Sequence, residues 1–190
     1  MFDSIIEKEP NDLLQTIDDI DLYVMHNPYC DLCNSYKTSG FKEYYKDGNE
    51  KNKTIGNVMV LCNNCYNQVV NGIPMTVSRK VTIDVAHHLP GHPSCGYLHG
   101  HTIDITVGIN GKLDLTTMMV IDFGELKKIL KEIIVDKFDH RYLNRTFQIP
   151  TSEVMSLYIY NCLKERQLNV EYVRVHETRD NFVEMRSLGE

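Results

Sequence analysis

Cys95-Gly96-Tyr97-Leu98-His99-Gly100-His101 runs directly into Thr102-Ile103-Asp104-Ile105-Thr106-Val107-Gly108-Ile109, where polar and apolar positions alternate. Successive side chains of a strand point to opposite faces, so His99 and His101 share the face of Ile103, Ile105, Val107 and Ile109. Gly100 leaves room between them for an ion. Upstream, Val81, Ile83, Val85 and His87 have one parity in a second alternating run, Lys80 to His87, which puts His87 at the end of the apolar face of a neighbouring strand. Three neutral imidazoles with no fourth side chain at hand describe an open zinc site, able to polarise a substrate oxygen or a water. The bland alternative is three satisfied core or surface histidines.

A chain of 190 residues has room for one ordinary domain and a small one, and with 42% apolar side chains it can bury a core without disulfides. Its longest apolar runs are a few residues, far short of a membrane span. It opens on acidic residues rather than on a basic region followed by an apolar block, so a cytoplasmic protein with no membrane partner is expected. Four of the six cysteines form two CxxC pairs and a fifth lies in the histidine stretch, a usage that belongs to metal in a reducing compartment. A formal net charge of −6 argues against a nucleic-acid backbone as the main partner.

The pattern divides the chain into residues 1–78 and 79–190. In the first part, Leu13, Leu14 and Ile17 follow Pro10 among acidic residues and predict a short amphipathic helix over 11–20. Cys30-Asp31-Leu32-Cys33 and Cys62-Asn63-Asn64-Cys65 each form a knuckle presenting two sulfurs, and together they predict a closed structural zinc site. Between the pairs, residues 36–57 have weak hydrophobic periodicity and cannot fold by burial alone, which a metal cross-link explains. Redox dithiols are the alternative reading of the pairs, and His26 could replace one sulfur or be a surface loop residue. Val58 to Val69 reads as strand, knuckle and helix start, and resembles a treble-clef zinc module.

In the second part the two alternating strands are joined by a loop carrying Pro90, Gly91, Pro93 and Cys95. After the Asn110-Gly111 turn, Met119 to Phe123 reads as a strand. Asp122 and Glu125 have capping-box spacing ahead of a helix whose apolar stripe is Leu126, Ile129, Leu130, Ile133 and Ile134. Pro150-Thr151-Ser152-Glu153 opens a second helix, capped by Thr151 or Ser152, with Met155, Tyr158, Ile159, Cys162 and Leu163 inward. Two last strands, 170–178 and 182–187, leave Glu177 at the end of the apolar face of Val173 and Val175. This order is α+β, layered most simply as an antiparallel sheet with both helices on one face, the other being left for self-association.

Val85-Ala86-His87-His88-Leu89-Pro90, Cys95 to His101, Val120-Ile121-Asp122-Phe123, Asp139-His140-Arg141-Tyr142-Leu143-Asn144, Pro150-Thr151-Ser152-Glu153 and His176-Glu177-Thr178 occur in one order and spacing. Over residues 79–187 that order resembles the 6-pyruvoyl-tetrahydropterin synthase superfamily, and most of all its 6-carboxytetrahydropterin synthase branch, through Cys95-x-x-Leu98-His99 and Pro-Thr-Ser-Glu. The resemblance implies a tunnelling fold of ββααββ units in a homo-oligomer, usually a hexamer, with active sites between subunits. It implies His87, His99 and His101 as ligands of a catalytic Zn2+, Cys95 as general base, Asp139 and His140 as a proton-relaying pair, and Glu177 as the anchor of a pterin ring, with contacts from Thr151 and Ser152. On the residues alone, Cys95 is also readable as a fourth ligand or a small loop hydrophobe, and Asp139-His140 as a solvated loop.

The implied substrate is 7,8-dihydroneopterin triphosphate, converted to 6-carboxy-5,6,7,8-tetrahydropterin with release of acetaldehyde and triphosphate, a step toward 7-deazaguanine nucleosides such as queuosine. Lys80, Arg141 and Arg145 are triphosphate candidates by position only. Two departures stand out: Ile83-Asp84-Val85-Ala86 precedes His87 where an aromatic and small residues are usual, and the cysteine module lies outside the resemblance. That module could recruit a partner protein or nucleic acid, or stabilise the oligomer. The alternatives are a 6-pyruvoyl-type triphosphate lyase that keeps the three-carbon side chain, and a non-catalytic, zinc-dependent nucleic-acid or partner-binding protein on the same scaffold. One closed and one open site predict about two zinc ions per chain, to be checked by elemental analysis of the purified protein.

Overall fold

The computed structural model describes residues 27–36, 40–54 and 56–187; the helix expected over 11–20 and His26 lie outside them. The chain divides into two compact units, one ending at Ile73 and taking in Leu115–Thr117, the other holding Pro74–Asp114 and the residues from Met118 on.

In the first unit, β1 (Phe41–Tyr45) pairs antiparallel with β2 (Val58–Cys62), and α1 (Asn63–Asn71) follows at once. Cys62 caps α1, its sulfur accepting the Cys65 backbone N–H at 3.5 Å. Asp47 organises the turn between the strands by accepting from the Asn52 side chain at 2.7 Å, the Asn49 N–H at 2.8 Å and the Asn57 side chain at 2.9 Å. Those bonds, the Asn52 amide first, hold its carboxyl below the usual carboxylate range. The buried cluster between the knuckles and α1 consists of Cys30, Met59, Leu61, Cys65 and Val69 among the described residues, so two metal-type cysteines stand where hydrocarbon would be needed.

The second unit is a five-stranded sheet in the order β5-β3-β4-β6-β7, from β3 (Pro74–His87), β4 (His99–Lys112), β5 (Arg141–Tyr142), β6 (Val170–His176) and β7 (Phe182–Arg186). Neighbours are antiparallel except the short β5, which runs parallel to β3 at Val85 and Ala86 and was not expected from the sequence. β3 begins at Pro74, ahead of the expected Lys80, and pairs with β4 from Pro74↔Lys112 to His87↔His99. Alternate residues of these strands, Ile83, Val85, Ile103, Ile105, Val107, Ile109, Val173 and Val175, are buried in one cluster with the helices.

Two helices cover that face. The Asp122 carboxylate accepts the Gly124 and Glu125 N–H groups at 2.7 and 2.9 Å and starts α2 (Phe123–Leu130). A π-helical turn, Lys131–Val135, and a last α turn, Asp136–Phe138, extend it, so that Leu126, Leu130, Ile133, Ile134 and Phe138 all stay buried. Thr151 caps α3 (Ser152–Glu165), its hydroxyl accepting the Val154 N–H at 3.3 Å, and Met155, Ile159 and Leu163 complete the core. The expected strand Met119 to Phe123 does not form. Only one bridge, Asp114 with Met119, is made, because Asp122 claims the residues that follow for the helix cap.

The other face of the sheet is polar and internally paired. Lys80 and Thr82 bond Asp104 at 3.0 and 2.5 Å, Thr102 bonds Asp84 at 2.6 Å, and Arg174 pairs with Glu184. Tyr172 lies across Gly108, where a Cβ would come within 2.4 Å of its ring, and its hydroxyl meets that of Ser78 at 2.7 Å. Leu130 is fully buried. Leu130→Ala is expected to destabilise by about 2–5 kcal/mol, and Asp122→Ala by about 1 kcal/mol. Both are read from the midpoint of urea unfolding.

Candidate metal centre and adjoining cleft

The β3–β4 register makes His87 and His99 direct partners and places His101 opposite Val85, one diagonal step away. The three rings close on one another, with centroids 4.6 Å apart for His87 and His99, 5.2 Å for His87 and His101, and 4.9 Å for His99 and His101. One nitrogen from each lies within 4.8 Å of the others. His87 Nδ1 stands 2.9 Å from the Pro150 carbonyl and His99 Nδ1 stands 2.7 Å from the Tyr97 carbonyl. A carbonyl only accepts, so each Nδ1 carries a proton, and in the neutral ring it is Nε2 that keeps the lone pair.

His87 is 1% exposed, and its Nε2 has no hydrogen-bond partner. Leaving such a nitrogen unsatisfied costs about 1–3 kcal/mol, which a cation removes. Burial lowers the pKa of His101, with Glu177 opposing, and so favours the neutral imidazole that binds metal. Three converging imidazoles, two of them with a carbonyl partner on Nδ1, fit a zinc ion bound with an open position.

Glu177 follows β6 and lies beside the triad. Its Oε1 is 3.5 Å from His87 Nε2 and 3.9 Å from His101 Nε2. It also lines a cleft of about 360 Å³ with Leu89, Thr151, Ser152, Glu153 and Phe182 among others. The three residues singled out as substrate contacts, Thr151, Ser152 and Glu177, therefore open on one space next to the imidazoles. The volume is at the small end for ligand sites.

Cys95 is half-buried in the loop that joins β3 to β4 and is not among the groups that share the triad's metal position. Its carbonyl accepts the Leu89 N–H at 2.7 Å. The base of this loop is clamped by residues that sequence reasoning passed over. Asn144 accepts the His88 N–H at 2.9 Å and donates to the His88 carbonyl at 2.9 Å, while the Tyr142 hydroxyl meets His88 Nδ1 at 2.6 Å. The signal was present, since Tyr142 and Asn144 sit in the segment beginning Asp139-His140.

Asp139 and His140 form a separate cluster with Asp84. Asp139 Oδ1 accepts the Asp84 N–H at 3.0 Å and lies 3.0 Å from His140 Nδ1, and the His140 N–H donates to the Asp84 carbonyl at 2.7 Å. The Asp84 backbone bond, then His140, hold the Asp139 carboxyl below its usual range, so it is ionised at neutral pH. His140 adopts a left-handed backbone, φ 57°, and its side chain is 76% exposed. Strand parity turns Asp84 away from the face of His87. Of the triphosphate candidates, Lys80 is committed to Asp104 on the polar face, and Arg141 and Arg145 are exposed.

The four knuckle cysteines bring their sulfurs within 4.8 Å of one another, and none is in a disulfide. A tetrahedral ion about 2.3 Å from each sulfur spaces them about 3.8 Å apart, and Cys33 and Cys62 stand at 3.9 Å. Asp31 ties the first knuckle to β2, its carboxylate accepting the Val60 N–H at 2.6 Å and its own N–H donating to the Val60 carbonyl at 2.9 Å. The Ser35 hydroxyl and backbone pull the Cys33 thiol down to about 6, while burial pushes Cys65 up. Four such sulfurs become thiolates together only around a cation, and no fifth position is offered.

A sequence profile of the family described as 6-pyruvoyl tetrahydropterin synthase matches residues 76–187. A protein of Archaeoglobus fulgidus described as a 6-carboxy-5,6,7,8-tetrahydropterin synthase is 43% identical over 112 residues, covering 59% of this chain and 96% of the relative. The 6-carboxy-5,6,7,8-tetrahydropterin synthase of Haemophilus influenzae is 34% identical over 135 residues, covering 57% and 96%. Among solved structures, that of the Caenorhabditis elegans 6-pyruvoyl tetrahydropterin synthase superposes with a TM-score of 0.55 at 25% identity, covering 60% of this chain and 96% of that one. Replacing His87 by Ala is expected to lower the zinc content from about two ions per chain to about one while sparing the cysteine site, and Cys62→Ser to do the reverse. Elemental analysis combined with thiol titration distinguishes the two.

Proposed function

The chain belongs to the 6-pyruvoyl tetrahydropterin synthase family, and we propose that it is a 6-carboxy-5,6,7,8-tetrahydropterin synthase. In this reading it acts on 7,8-dihydroneopterin triphosphate and releases acetaldehyde and triphosphate. The observation that carries it is the meeting of three converging imidazoles with a cleft lined by Glu177, Thr151 and Ser152. The names of the relatives at 43% and 34% identity favour the carboxy branch.

His87, His99 and His101 would hold a zinc ion, which when bound polarises the hydroxyl oxygens of the substrate side chain. Glu177 accepts parallel hydrogen bonds from the 2-amino group and a ring N–H of the pterin, which fixes its orientation. Thr151 spends its hydroxyl's acceptor on the helix cap and keeps its proton to donate. Cys95 removes a carbon-bound proton as its thiolate. Asp139, ionised, orients His140, whose imidazole relays a proton.

His140 is largely exposed and its cluster stands off the triad's face, so a second copy of the chain is the natural recipient of the Asp139–His140 pair. In this reading the working enzyme is a homo-oligomer. Mixing Cys95→Ala with His140→Ala protein is then expected to restore turnover that neither variant shows alone.

Incubation with 7,8-dihydroneopterin triphosphate, followed by assay for acetaldehyde, tests the reaction; a product that keeps its three-carbon side chain would point instead to 6-pyruvoyl-type chemistry. Cys95→Ala is expected to lower kcat by about 10²–10⁴-fold with zinc content unchanged. Glu177→Gln is expected to raise KM by about ten- to a hundredfold, again with zinc retained. Loss of zinc in that variant would make Glu177 a metal ligand rather than a substrate anchor.

A further inference from the structure

We infer that His92 is a positioning residue for Cys95, acting as a side-chain cap that fixes the backbone on which the thiol stands. The inference rests on the reading of Cys95 as the base. His92 Nδ1 accepts the Cys95 N–H at 2.9 Å and the Ser94 N–H at 3.3 Å. Both partners are backbone donors, so the lone pair is on Nδ1 and the proton on Nε2, the opposite tautomer to His87 and His99. An acceptor that takes the amides two and three residues ahead is the arrangement of an Asx turn, here made by an imidazole. Pro93 follows and holds His92 in the extended backbone that such a turn begins from.

The main chain of His92 is held as tightly. Its N–H donates to the Leu89 carbonyl at 3.0 Å, and the Leu89 N–H donates to the Cys95 carbonyl at 2.7 Å, so residues 89–95 close into a ring of hydrogen bonds. The His92 carbonyl approaches Gly96 so closely that a Cβ there would sit 2.6 Å from its oxygen. Glycine at 96 is thus what lets the chain fold back over His92. Side chain, N–H and carbonyl all act on the short segment that carries Cys95, and His92 stands apart from the three metal-type histidines.

The test compares His92→Phe, which keeps a ring and loses the acceptor, with His92→Asn, which regains an acceptor in Asx geometry. His92 is exposed, so neither change disturbs the core, and matched thermal midpoints check this. Turnover of 7,8-dihydroneopterin triphosphate, zinc content, and the pH profile of Cys95 alkylation by iodoacetamide, followed on the Cys95 peptide, are measured on the full-length zinc-loaded protein. His92→Phe is expected to lower kcat on the order of a hundredfold, the scale for a catalytic group displaced by about 1 Å, with KM and zinc unchanged and the alkylation profile shifted. His92→Asn should recover most of both. A wild-type kcat and alkylation profile in His92→Phe would overturn the proposal, as would His92→Asn remaining as slow as His92→Phe. Wild-type turnover in Cys95→Ala would remove the base reading alone, and the alkylation profile would still decide the cap.

Discussion

Three imidazoles gathered at the end of one sheet face are the constraint around which the second unit is built. Cross-strand pairing of His87 with His99 brings two rings together, and the two-residue step along β4 adds His101. The Nδ1–H groups of His87 and His99 then donate to the carbonyls of Pro150 and Tyr97, which leaves Nε2 of the neutral ring as the acceptor. One of those acceptors, on His87, is buried without a partner. Core burial and site geometry are set by the same strand alternation, since the face that carries Ile83, Val85, Ile103 and Ile105 ends in the histidines. A slip of one residue in register would lose both together.

The first unit meets a similar problem with less material. Its buried cluster is a handful of residues, two of them cysteines, and its turns are held by amide and carboxylate hydrogen bonds around Asp47 rather than by burial. Burial that raises the Cys65 pKa works against thiolate formation until a cation is supplied, so metal affinity and folding are one quantity here. The two donor sets also divide the chemistry. Four sulfurs saturate a tetrahedral ion, whereas three nitrogens beside an open cleft do not.

Around the triad, hydrogen bonds that end on the backbone hold the segments that carry Asp139, His88 and Cys95. Asp139 is fixed by the Asp84 N–H, His88 by the reciprocal amide of Asn144, and Cys95 by the ring of hydrogen bonds through Leu89 and His92. Such bonds cost little to make within a loop and fix direction closely, which proton transfer needs more than affinity. The left-handed backbone of His140 belongs to the same economy of short turns between β3 and the segment after α2.

The sequence by itself determined the parity of the long strands, the Asp122 helix cap, the narrowing of the second cap to Thr151 or Ser152, and the grouping of His87, His99 and His101, because each is a local repeat or a short-range hydrogen bond. It missed β1, whose Phe41-Lys42-Glu43-Tyr44-Tyr45 acquires strand form only by pairing with β2, and it missed β5, two residues long. It read Met119 to Phe123 as a strand on composition, where competition for the helix cap decided otherwise. Only the tertiary structure decided which imidazole nitrogens carry protons, that Glu177 stands against the triad while Asp139 and His140 stand apart with Asp84, and that His92 and Asn144 hold the loop. Those outcomes depend on which carbonyl or amide arrives from a distant part of the chain, and spacing along a strand carries no record of that.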